Sequence, residues 1–187
     1  MGTIFVDNLE PQSGTSLTLG ASGDTVSLTS GAKTSGFGKI GQVVTTNFTG
    51  TESTTVKASA GNFTDSSLTA TLTPTTTSSK ILVLASINTG ASSASNGAHV
   101  GRFRQAISGG STTSVFVGAA AGSRIQASSG RGNEMQGNAT NVLLSFNFVL
   151  TPSTTSAVTV TYQFAARGGG SGTAYINVTG NDSDSNE

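Results

Sequence analysis

Ile81, Leu82, Val83, Leu84, Ala85 and Ile87 follow one another with only Ser86 between them, inside the stretch Ser79 to Asn88. PTTTSS precedes this run and TGASSAS follows it. A short apolar run rich in β-branched residues and closed at both ends by turn formers predicts a strand buried on both faces. It falls well short of the roughly 20 apolar residues that cross a bilayer, so no membrane insertion is expected. A strand of this kind must be covered by other strands, and the rest of the chain supplies them. Charged residues make up 10% of the 187 residues and aromatics 6%, while Thr, Ser, Gly, Val and Ala dominate. Strong helix formers are scarce and β-branched residues common, so strands and turns are favoured over helices throughout.

The predicted strands follow from alternation and its interruptions. Ile40–Phe48 carries Val43 and Val44, and a short alternating segment spans Thr54–Ala58. Leu68–Leu72 reads LTATL and is stopped by Pro74. After the apolar run come His99–Ile107 and Ser114–Val117, then a long polar, Gly-rich loop over 118–140. Val142–Leu150 (VLLSFNFVL) is the second strong strand, stopped by Pro152. Val158–Ala166 places Val158, Val160, Tyr162 and Phe164 on one face, and Thr173–Val178 is the last segment. About eight or nine short strands at this spacing predict an all-β antiparallel sandwich of the jelly-roll kind. Its core is expected from Ile81, Val83, Ala85 and Ile87 on one face of the central strand, together with Phe103, Phe146 and Phe148. Leu82 and Leu84, on the other face of the central strand, are expected to meet another sheet layer or another subunit, with that face wetter toward Asn88.

The first part of the chain has a different rhythm. TSLTLGASG (15–23) and DTVSLTSGA (24–32) are approximate copies, each with two apolar residues at period two and a Gly/Ser turn. Such a unit cannot bury its single stripe alone and must stack on copies from neighbouring turns or chains; the alternative is a flexible arm. The Gly-rich GAKTSGFGKIG (31–41) acts as a hinge. The division expected is 1–38 as an extended attachment or stalk segment and 39–187 as the head.

Little here points to catalysis. His99 is the only histidine and has no carboxylate beside it in sequence. Asp65, Glu134, Asp182 and Asp184 suggest no glycosidase pair, and the Gly-rich hinge lacks the phosphate-binding loop pattern. With no Cys there is no disulfide or thiolate site, and no cofactor or metal is expected; the D-x-D-x-N run over 182–186 reads as a solvated terminus. Zero formal net charge gives no field for gathering nucleic acid. The opening MGTIFVDN has neither the basic nor the apolar region of a secretory signal. Arg102 and Arg104 flank Phe103 on one strand and share a face, where they could serve an interface, a surface ion pair or an anionic glycan. The long loop offers Arg124, Arg131, Asn133 and Gln136 as candidate receptor contacts, because recognition concentrates on loops held by a rigid scaffold.

With these segments in view, the chain resembles the tail-fibre and related virion proteins of tailed bacteriophages, many from marine hosts. GTIFVDN with DTVSLTSGAKTSGFGKIGQVV is similar to their leaders. LTATLTPTTTSSKILVLASIN, VGRFRQAI and FNFVLTPSTTSAVTVTYQFAARGGGSGTAYIN are similar to their distal domains. The resemblance implies a non-enzymatic homotrimer located in the virion, with Ile4, Phe5 and Val6 in a segment docking on other tail or capsid proteins. It also implies a head that contacts a host surface glycan or protein. A capsid decoration or tail-adaptor protein without receptor binding is the alternative. Similar domains continue past the Tyr-Ile-Asn strand into a further apolar strand, whereas here NDSDSNE follows, which would leave a sheet edge unfilled.

Overall fold

A computed structural model of the chain describes residues 10–11, 13–14, 18, 20–25, 41–58, 62–92, 99–130, 141–167 and 172–178. The chain divides into two compact units, Met1–Gly41 and Gln42–Glu187. In the first, Ala21–Asp24 forms a turn at the end of the first repeat. Asp24 N–H donates to the Ala21 carbonyl at 3.0 Å, and Ala21 N–H donates to Asp24 Oδ2 at 2.6 Å. Gly23 sits at φ 94° in the third position, the conformation that a type II turn demands and that glycine adopts without a Cβ clash.

Among the described residues the second unit holds nine strands: β1 Glu52–Thr54, β2 Thr64–Leu72, β3 Ile81–Ala91, β4 His99–Ile107, β5 Thr112–Val115, β6 Ser129–Gly130, β7 Val142–Leu150, β8 Val158–Ala166 and β9 Ala174–Ile176. No helix occurs among the described residues. One sheet has the order β1-β9-β3-β7, the other β2-β8-β4-β5, and the two-residue β6 adds to β4. Every strand pair is antiparallel. With β6 set aside, the first sheet takes the first, last, third and sixth strands in chain order, and the second takes the second, seventh, fourth and fifth. That is the two-sheet order of a jelly roll. The domain is an all-β sandwich. β9 lies inside its sheet, between β1 and β3, so the edge strands of that sheet among the described residues are β1 and β7, and the stretch after 178, where a further strand is expected to be missing, lies outside the described residues.

The inner faces interdigitate through Ile81, Ile87, Phe148, Leu150 and Ile176 from one sheet and Phe103, Val158, Val160, Tyr162 and Phe164 from the other. Phe103 is at the centre, with its ring 5.1 Å from Phe146, 4.9 Å from Phe148 and 5.2 Å from Tyr162. Edge-on and tilted contacts of this kind add to the area the rings bury. Val83 and Phe146 are partly buried against the same cluster.

Three expectations need correction. Residues 41–49 form no strand, and Val43 and Val44 are exposed, because two apolar residues without sustained alternation give a sheet no stripe to bury. The apolar run in β3 is not buried on both faces. Leu82 and Leu84 point outward at 62% and 71% exposure and take no part in the core of the chain. That face also dries rather than wets toward its far end, where Asn88 is half-buried and Gly90 is buried as β9 pairs alongside β3. A Cβ at Gly90 would strike the Val178 carbonyl. The strand covered on both sides is β8, which pairs along its length with β2 and β4.

Candidate functional site

The outer face of the β2-β8-β4-β5 sheet carries the one charged network among the described residues of the sandwich faces. It is built in cross-strand rows. Asp65 on β2, Gln163 on β8 and Arg102 on β4 are register partners across three strands. The next row is Thr69, Thr161, Arg104 and Ser114. Side chains at period two share a face, so Arg102 and Arg104 stand side by side on it.

An irregularity in β2 brings the carboxylate to both rows. The interval Asp65 to Thr69 on β2 faces only Gln163 to Thr161 on β8, so the extra residues bulge out. Ser66 pins the bulge, with its hydroxyl donating to the Tyr162 carbonyl at 2.7 Å and accepting from Leu68 N–H at 3.2 Å. Glu52 accepts from Ser67 N–H at 2.8 Å.

The network then closes on itself. Arg102 Nε donates to Gln163 Oε1 at 2.8 Å, and Gln163 Nε2 donates to Asp65 Oδ1 at 2.5 Å. Arg104 Nη2 pairs with Asp65 Oδ2 at 2.7 Å. The Arg102 guanidinium lies 4.0 Å from the centre of the Phe63 ring, a cation–π contact. Gln163 is only 5% exposed, and a buried amide there must have both ends satisfied. Burial lowers the basicity of Arg102, Asp65 partly restores it, and the neighbouring Arg104 lowers it further. Two guanidiniums share a single carboxylate, so the site keeps one excess positive charge.

No protein-family model, curated protein or solved structure matches the chain. The reading of this face therefore stands on its geometry.

The opposite outer face, on β3 and β7, differs in kind. Leu82, Leu84, Ser86 and Asn88 lie opposite Val149, Asn147, Ser145 and Leu143, and none is charged. Val149, 56% exposed, stands opposite Leu82, and Leu143, 65% exposed, stands opposite Asn88 toward the other end of the same face. β7 is nine residues long, uncharged and free of Pro and Gly, and among the described residues it pairs only with β3.

Of the loop residues expected at a receptor site, Arg124 is exposed at the turn Ala121–Arg124, and no hydrogen bond or ion pair connects it to the Arg102–Arg104 network. Arg131, Asn133 and Gln136 lie outside the described residues, as do Ile4, Phe5, Val6 and the acidic run over 182–186. His99 is buried with its Nε2 at 2.9 Å from the Tyr162 hydroxyl and its ring stacked on Tyr162 and Phe164. Burial pulls its pKa down to about 4, offset in part by the Tyr175 backbone. The imidazole is thus neutral at pH 7 and walled off from substrate. The partners that sequence reasoning missed are Phe63 and Gln163, and Asp65 was considered only as an acid. The single usable signal was Gln163, a lone large amide among the β-branched and aromatic residues of its strand.

Proposed function

We propose that this chain is a non-enzymatic structural virion protein: the subunit of a homotrimeric phage tail fibre whose first segment docks on the particle and whose sandwich contacts the host surface. The observation that carries the self-assembly is the bare outer face of β3 and β7. Monomeric proteins seldom leave a long, uncharged edge strand beside a cluster of exposed leucines, because both template association. Burying a leucine fully contributes about 1.5–3 kcal/mol, so covering Leu82, Leu84, Leu143 and Val149 favours association against the freedom lost on binding. Cyclic symmetry lets three such patches be covered without open-ended growth. The lack of charge on the face fits contact between identical copies, which would otherwise set like charges against each other.

The test is the mass of the purified chain in solution, together with its place in the particle by electron microscopy. Three copies per assembly, adsorption to host cells and a location at the tail are expected. A monomer would defeat the assembly. A capsid position with no adsorption would replace the fibre with a decoration protein.

A further inference from the structure

We propose that the Arg102–Arg104 face of the second sheet is a binding site for acidic saccharides, in which the two guanidiniums receive a sugar carboxylate. The proposal rests on the reading of this domain as a surface-contacting head for its setting, and on the geometry of the network for its chemistry.

The guanidiniums are held in advance of any ligand. Arg102 is fixed through Nε by Gln163 and through its plane by Phe63, and the bond to Gln163 does not use its two Nη groups. Arg104 is fixed through one Nη by Asp65. A planar fork whose entropy has been removed by its neighbours is the arrangement that favours bidentate carboxylate recognition. Asp65 is already engaged by Gln163 and Arg104, so it neutralises one guanidinium and leaves the other unbalanced.

That balance selects among anions. One excess charge in a chain of zero net charge suits a monoanion. It suits a polyphosphate or nucleic acid poorly, since affinity for a polyanion grows with the number of phosphates neutralised. The surroundings select among monoanions. Ser114 lies in the Arg104 row and Thr112 one row on, both exposed, while the exposed Thr69 and Thr71 share their hydroxyls with Thr161 and Thr159 and keep their remaining hydrogen-bonding capacity for a ligand. Hydroxyl side chains both donate and accept, which matches the ring hydroxyls of a sugar. An acidic peptide would place apolar or amide groups there.

The test uses the full chain and soluble probes: a galacturonate trimer in which only one of the three carboxyls is free and the other two are methyl esters, the neutral galactose trimer, a peptide bearing a single Glu and inorganic phosphate, each titrated calorimetrically. The galacturonate trimer should bind at least about tenfold more tightly than the other three. Arg102→Lys keeps the charge and loses the fork, and should weaken binding about tenfold. Ser114→Asp places a carboxylate opposite Arg104 on an exposed strand and should abolish binding with the thermal transition unchanged. This second variant keeps the test sound if Arg102→Lys perturbs folding. Equal binding of acidic and neutral trimers, preference for the peptide or phosphate, or undiminished binding by Ser114→Asp would overturn the site. Host adsorption without galacturonate binding would spare the fibre reading and remove this one; galacturonate binding without assembly or adsorption would do the reverse.

Discussion

The two outer faces of this sandwich are made from similar strands and end in opposite states. On β3 and β7, Leu82, Leu84, Leu143 and Val149 stand exposed, with no other strand among the described residues across from them. On β2, β8 and β4, polar and charged side chains stand in a hydrogen-bonded network in which Gln163 is buried, next to the buried Thr161. Alternation alone would put water over both faces. The difference lies in cross-strand rows: Asp65–Gln163–Arg102 is complementary from strand to strand, whereas Leu82–Val149 and Leu84–Asn147 have no third partner. A face completed within the chain is suited to holding a small ligand. A face left incomplete is suited to another chain.

That contrast can be broken in stages, beginning beneath the polar face. The folded state holds His99 neutral, with a pKa of about 4 against an ordinary 6.5. The unfolded chain therefore binds the proton more readily, and stability falls as pH drops from about 6.5 toward 4. At pH 4 the loss is on the order of 3 kcal/mol. Urea unfolding across that window should show the decline in the wild type and not in His99→Phe, and an imidazole titrating near pH 6.5 by NMR would contradict it.

Next comes Gln163→Ala, which strips charged hydrogen bonds from Arg102 and Asp65 at once. A loss of about 2 kcal/mol in denaturant unfolding is expected. Arg104→Ala removes a half-exposed ion pair and should cost only about 0.5–1 kcal/mol. A larger cost for Arg104 than for Gln163 would mean that the ion pair, and not the amide, organises the face. Smallest of all in stability is Leu82→Ser with Leu84→Ser, at under about 0.5 kcal/mol for the isolated chain. The same pair should shift the sedimenting species from trimer to monomer, which would show that the apolar face works between chains and not within one.

The strands were legible where they are local. His99–Ile107, Val142–Leu150 and Val158–Ala166 match β4, β7 and β8 to the residue, because alternation and the flanking Gly and Pro breakers bound each of them. β2 begins at Thr64, earlier than its apolar residues suggest, since TDSS joins the sheet through pairing with β8 and the Ser66 pin. The site was half legible. Two arginines at period two announce a shared face, but nothing local connects them to Asp65 or Phe63, which are brought near by the bulge in β2.

The sequence by itself determined that this chain would be all strand, where most strands would lie, and that Ile81 and Ile87 would face a core. Those outcomes depend on side-chain period and turn chemistry, which act over a few residues. Only the tertiary structure decided that β8, and not the more apolar β3, is covered on both sides, because burial follows position in the sheet. It also decided that Leu82 and Leu84 stand exposed while Gln163 is buried. Each residue's surroundings were set by partners that pair with it from distant parts of the chain.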